Sequence, residues 1–272
     1  MLLKKISILL ILLLPTIVFA QQVQVDVRHR PPEIVFTQNK PTGPVISIID
    51  KLLVAIKAQP LWLNVPWPRT LMRAKNGQVD IIPRHSMTPE REKYLLPLLI
   101  GYEKRTLYYL FAPQIKNIEQ YQSIKQLNKL YFGMLRGSYY GGSVENITSK
   151  TVVYANNIDQ LMGMLLAGRI DVMPIQNLVW AQRSYAKIKH EYDNVQYKLA
   201  EINKPFFSGK YISIPKRSQL KSNYHQLNCL LYQWRKSGKI DQIYAQYKIT
   251  PYTQLFDTSE SKKQARSCEK RG

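Results

Sequence analysis

The sequence predicts an α/β protein of two lobes, each a mixed, mainly parallel sheet flanked by helices. Two observations carry this. Strand-helix-strand alternation appears around Lys51 to Ile82 and again around Leu130 to Met173, and such alternation argues for parallel strands joined by crossover helices. Both copies also end alike, in Asn76-Gly77-Gln78-Val79-Asp80 and in Ala167-Gly168-Arg169-Ile170-Asp171.

The elements follow in order. Lys4 and Lys5 precede an almost wholly apolar stretch, Ile6 to Phe19, which ends at Ala20 before Gln21. A basic start, a short apolar run and a small residue at the break form an export signal, so residues 1–20 are expected to be cleaved. The run is short for a membrane span and contains Pro15. Val23 to Val27 alternates as a half-buried strand does, and Val45 to Ala58 has helical apolar spacing. Leu61 to Val65 reads as a strand, and Thr70 to Lys75 as a helix with Asn76-Gly77 as its C-cap signal. Val79 to Ile82 reads as a short strand, and Arg105 to Ala112 as one extended run. In the second unit Leu130 to Leu135, Thr151 to Tyr154 and Ile170 to Met173 read as strands, and Asn157 caps a helix from Ile158 to Ala167. Phe206 to Pro215 is a further strand. Leu220 to Trp234 and Ile240 to Tyr247 are helical, and nothing after Pro251 has the pattern of a folded element.

The formal charge is +21, and loss of Lys4 and Lys5 with the leader would leave +19. Such a charge draws in anions. The basic residues are dispersed, and an exported chain rarely meets nucleic acid, so a basic surface is expected and a nucleic-acid partner is not. Cys229 and Cys268 are the only cysteines. Cys229 is either a buried structural residue or, in an oxidising compartment, bonded to Cys268 so that the tail is pinned.

Two turns carry the candidate chemistry. In Ser86-Met87-Thr88-Pro89-Glu90-Arg91, Thr88 fits an N-cap and Pro89 the first helical position. Arg91 opposes the helix dipole there. Either it pairs with Glu90 or Glu92, or it joins helix N–H groups on an anion. Arg136-Gly137-Ser138-Tyr139-Tyr140-Gly141-Gly142 is the second turn, and its N–H groups and the Ser138 hydroxyl offer a similar device. The four histidines show no close pair at metal-ligand spacing, and neither a Gly-x-Ser-x-Gly elbow nor a Walker loop is present. No metal or cofactor is expected, and signals of an enzyme are poor.

In these landmarks, taken in order and closed by Ser237-Gly238-Lys239-Ile240-Asp241-Gln242-Ile243-Tyr244, the chain resembles the bacterial periplasmic solute-binding proteins of the polar-amino-acid type. The resemblance runs from about Val25 to Tyr247. It implies a type II periplasmic-binding fold with two crossing hinge strands and a ligand cleft. Lobe one would be residues 22–111 plus 205–255, lobe two 112–204, and 256–272 a polar basic tail. By the resemblance Arg91 binds a ligand carboxylate, Ser86 adds a hydroxyl, and Ser138 and Tyr139 donate from the second lobe. The chain also departs from the family. Arg30-Pro31-Pro32-Glu33 replaces an aromatic-Pro-Pro-aromatic segment, and Gln176 stands where an acidic residue would meet the ligand ammonium. Trp67-Pro68-Arg69 resembles a branch with unassigned ligands, in which Trp67 would supply an aromatic wall and Arg69 would face the cleft. Arg30, Arg69, Arg84, Arg91 and Arg136 would make that cleft positive.

The expectation is therefore a soluble, monomeric periplasmic protein that captures a carboxylate-bearing or anionic solute and delivers it to an ABC-type transporter of the inner membrane. A module of the same fold read by a membrane receptor is the alternative. A dehydratase-like enzyme, with Glu33 or Asp171 as its carboxylate, is a third.

Overall fold

The structure is a computed structural model that describes residues 21–37, 40–141, 144, 147, 152–202 and 205–269. The leader, Gly142 and the terminal Lys270 and Arg271 lie outside the described residues.

In the first lobe β1 (Gln21–Val27) runs parallel to β4 (Ala58–Asn64), with α1 (Pro44–Val54) as the crossover. Seven residues of α1, Ile48 and Ile49 among them, are buried against this pair. The helix stops at Val54, short of the expected Ala58, because the chain turns through Lys57 at φ 56° and Ala58 opens β4. A small hairpin, β2 (Val35–Thr37) with β3 (Lys40–Thr42), precedes α1.

Next comes α2 (Trp67–Asn76), closed by Gly77 in the left-handed region at φ 72°, as its C-cap signal predicts. It begins three residues before Thr70 because Pro68 fits the first turn. The following strand, β5, spans Ile82–His85. It is displaced from the expected Val79–Ile82 because Asp80 and Ile81 donate instead to the Gln24 carbonyl. β5 pairs antiparallel with β12 (Phe206–Pro215), which pairs antiparallel along its length with β6 (Leu95–Arg105).

The second lobe is a five-stranded sheet in the order β11 (Lys198–Glu201), β7 (Tyr108–Phe111), β10 (Val172–Ile175), β8 (Phe132–Leu135), β9 (Val152–Ala155). The pairs β10–β8 and β8–β9 are parallel, and β7 is antiparallel to both its neighbours. Residues 108–111, expected in the first lobe, are therefore hydrogen-bonded into the second. The sheet has a core on each face. Leu110 and Met173 point into one and Tyr109, Phe111 and Val172 into the other, as strand alternation requires. Its helices include α4 (Ile124–Leu127), α5 (Ile158–Leu166), capped by Asn157, and α6 (Leu178–Ile188), capped by Asn177. Two connections join the lobes, β6 into β7 and β11 into β12.

The chain returns to lobe one with α7 (Tyr224–Lys236) and α8 (Lys239–Gln246). The expected tail then folds: α9 (Ser259–Glu269) docks on α7. Cys229 and Cys268 are bonded, with their Cα atoms 5.3 Å apart. Arg235, 2% exposed, donates to Gln254 Oε1 (2.8 Å), Gln264 Oε1 (2.7 Å), Ser261 Oγ (3.0 Å) and the Leu255 carbonyl (3.0 Å).

Candidate functional site

The site begins at the short helix α3 (Pro89–Glu92), whose N-cap Thr88 accepts from the Arg91 N–H at 3.2 Å. The Arg91 side chain is buried and reaches the second lobe. Its Nη1 donates to the Ser86 carbonyl, and its Nη2 donates at 2.7 Å to the carbonyl of Gly137 across the cleft. The same Gly137 carbonyl accepts the Trp67 indole N–H at 2.8 Å. Two donors from one lobe thus converge on one acceptor of the other. Gly137 sits at φ 69°, and a Cβ there would stand 3.3 Å from Leu71 Cδ1. Glycine therefore lets the turn approach Trp67 without strain. The Ser138 N–H donates to the Leu135 carbonyl at 3.1 Å and closes the turn, which leaves the Ser138 hydroxyl as the group it can offer to the cavities it lines.

Beneath Arg91 lies a network of ion pairs. Glu33 meets Arg84 at 2.5 Å and accepts from Tyr252. Glu103 meets Arg84 (3.2 Å), Arg105 (2.6 Å) and Lys210 (2.8 Å). Lys210 also donates to Ser86 Oγ at 3.2 Å. Burial acts against the Glu103 carboxylate, but Lys210, Arg84 and Arg105 hold it well below the usual range. Burial and then Arg105 push the Lys210 ammonium down. Arg84 occupies φ 44°, an uncommon conformation for a residue with a side chain. These pairs fix it.

Two cavities lie between the lobes, of about 850 and 280 Å³. Arg30, Arg84, Ser138 and Gln176 line both, and Ser86, Trp67, Arg91 and Tyr139 line the smaller. Gln176 Nε2 donates to the Tyr139 carbonyl at 2.6 Å and so braces the second-lobe turn. Arg69 lines neither cavity and is exposed. Two residues along a helix turn the side chain about 200° away, so the face that presents Trp67 points Arg69 outward.

Sequence reasoning missed Arg28, Arg105, Trp180 and Lys210, all of which line the smaller cavity. Arg28 was within reach of that reasoning. It lies just beyond β1, two residues before Arg30, and such positions share a side of an extended chain at the strand end where α/β proteins bind ligands. The Arg28 guanidinium stacks 4.2 Å from the Trp67 ring, and that of Arg30 lies 5.6 Å from the ring of Trp180 on α6.

No protein-family profile matches the chain, and no curated protein matches it. Solved structures do. A histidine kinase sensor domain with similarity to periplasmic binding proteins superposes with TM-score 0.61 at 14% identity, covering 85% of this chain and 99% of its own. An arginine third transport system periplasmic binding protein from Legionella pneumophila gives 0.58 at 17%, covering 84% and 100%. An ancestral arginine-binding protein bound to arginine gives 0.55 at 18%, covering 83% and 97%. At these identities the likeness establishes architecture. The chain has the two-lobed type II fold of the periplasmic amino-acid-binding proteins.

Proposed function

We propose that the protein captures a small carboxylate-bearing or anionic solute between its lobes and hands it to an ABC-type transporter of the inner membrane. The observation that carries this is the smaller cavity, where Arg91 and Trp67 of one lobe meet Gly137 of the other inside a wall of arginines. A solute seated there touches both lobes and favours closure. The fold supports the reading, because structures that share it include periplasmic binding proteins of transport systems. In this reading residues 1–20 are the export signal, the mature protein is periplasmic and monomeric, and no cofactor takes part. Among the described residues no helix is long and apolar enough to cross a membrane.

Isothermal titration of the purified protein against a panel of acids and amino acids tests it. An acid should bind one to one, and Arg91→Ala should weaken that binding by about 2–5 kcal/mol, the usual cost of truncating one side of a buried charged pair. Tight binding of only a cationic or neutral solute would sink the proposal.

One observation favours a second reading. The sensor-domain structure superposes at least as well as the arginine-binding ones, so the same capture step can serve a membrane receptor. Neighbouring genes for a permease and an ATPase would favour transport, and a neighbouring receptor kinase would favour sensing.

A further inference from the structure

We infer that the solute is a dianion without an ammonium group, a dicarboxylate or a phosphorylated small acid, and that Arg28 and Arg30 are its principal clamp. This rests on the capture reading above and narrows it. The smaller cavity is lined by six arginines (residues 28, 30, 84, 91, 105 and 136) and by Lys210, and among the described residues no aspartate or glutamate contributes to its lining. Nearby carboxylates are already committed. Glu33 serves Arg84, Glu103 serves Arg84, Arg105 and Lys210, and Asp26 serves Arg73 at 3.0 Å. Arg91 is engaged by two backbone carbonyls.

Arg28 and Arg30 differ from the rest. Among the described residues neither meets a carboxylate or donates a side-chain hydrogen bond, whereas Arg136 donates to Asn156 Oδ1 at 3.3 Å. The Arg28 guanidinium lies 4.2 Å from the centre of the Trp67 ring, which Arg91 shares at 5.2 Å, and that of Arg30 lies 5.6 Å from the centre of the Trp180 ring. A guanidinium held over an aromatic ring is placed without using up its N–H donors, which stay available to the in-plane acceptors that carboxylates and phosphates offer. Burial lowers the proton affinity of both, and crowding by neighbouring arginines lowers it further. Guanidinium does not give up its proton in proteins, so the crowding acts as repulsion that an anion between them relieves. One negative charge leaves most of the wall unbalanced, and an ammonium would add to it. An α-amino acid brings both of these disadvantages, because Gln176 cannot neutralise its ammonium.

The test is ligand-dependent thermal unfolding of the whole protein at constant ionic strength, with succinate, glycerol 3-phosphate and arginine as probes. Wild type, Arg28→Gln and Arg28→Lys are compared. Succinate or glycerol 3-phosphate should raise the melting temperature of the wild type, and whichever does so more strongly identifies the anion type. Arg28→Gln should bind that probe at least tenfold more weakly, and Arg28→Lys, which keeps the charge and loses the fork, should fall between. Without probe, Arg28→Gln should melt at or above the wild type because it removes like-charge repulsion. Melting several degrees lower would make Arg28 a structural prop for Trp67 and count against the inference. Equal stabilisation of wild type and Arg28→Gln by the dianions would place the anion elsewhere and overturn the clamp. Stabilisation by arginine alone would overturn the dianion and leave solute capture standing. No stabilisation by any probe would overturn both.

Discussion

His85 shows how a single residue of the site reports its surroundings. It is buried, its Nδ1 donates to the Ser86 carbonyl at 2.9 Å, and its Nε2 lies 2.9 Å from Ser213 Oγ. Burial, and next the nearby Arg91 charge, push its pKa down to about 3 from an ordinary 6.5. Between those values the unfolded chain binds a proton that the folded protein refuses. Stability therefore falls as pH drops below 6.5, by up to about 1.4 kcal/mol per unit from this residue. In His85→Gln that contribution is absent. Urea unfolding from pH 7 to pH 4 should give a steeper loss in the wild type than in the variant. Equal slopes would mean that folding does not suppress protonation of His85. Both ring nitrogens are engaged, one by the Ser86 carbonyl and one by Ser213 Oγ, so the neutral imidazole is a strut among cations.

At the scale of elements, α9 carries the clearest prediction. The bond between Cys229 and Cys268 closes a 39-residue separation, for which chain-entropy arguments give up to about 4 kcal/mol of stabilisation. Arg235 spends four hydrogen bonds on this same region, so losing the bond should loosen α9 rather than merely free a terminus. Cys268→Ser should lower the free energy of unfolding in guanidinium by about 2–4 kcal/mol, with a matching loss in the reduced wild type. No change would show that α9 undocks independently of the remainder. The sequence did not reveal this helix, and the reason is physical. Its buried residues are Ser261 and Gln264, so it docks by hydrogen bonds and has no apolar stripe for periodicity to detect. By contrast, α1 and α5 bury apolar faces, α2 has its Gly77 cap and α5 its Asn157 cap, and these were legible. Helix α6 lay between. Asn177 and the spacing of Leu178, Ala181 and Ile188 give a visible signal that was passed over. Strand membership was hidden more deeply. Residues 105–112 read as one extended run, and only pairing places Tyr108–Phe111 in the second sheet. Arg91 stood out in the sequence because a helix cap precedes it, whereas Ser86 and Trp67 entered as site residues only through the family resemblance; all three line the smaller cavity. Lys210 gives no such sign, because nothing around a lysine in an apolar strand shows that it faces Glu103 of β6, the adjacent strand in the sheet but one far earlier in the chain.

For the whole molecule, the question is what holds the lobes together when no solute contact is counted. The Gly137 carbonyl accepts one hydrogen bond from Trp67 and one from Arg91, and Arg30 reaches Trp180 from the opposite side. Arg105 Nη1 also lies 3.5 Å from the Tyr139 carbonyl, and under the capture proposal such contacts must be weak enough for a solute to leave. Hydrogen bonds of this kind are worth about 0.5–1.5 kcal/mol net. Closure is then a balance that a ligand bridging both lobes can tip by its differential affinity. Trp67→Phe tests one of these contacts. It keeps an aromatic ring beneath Arg28 and removes the N–H that reaches Gly137 together with one ring of the indole. Loss of about 0.5–1.5 kcal/mol from the closed form should weaken binding of a bridging solute about 2–12-fold, the effect falling mainly on the rate of dissociation. Global stability should fall by little more than the packing lost where Trp67 rests on Ala74, Val79, Ile82 and Leu95, because the main core of each lobe is untouched. Stopped-flow tryptophan fluorescence, with Trp180 as reporter, gives both rates. An unchanged dissociation rate would mean that the solute alone bridges the lobes and that the Trp67 bond to Gly137 contributes nothing to holding them closed.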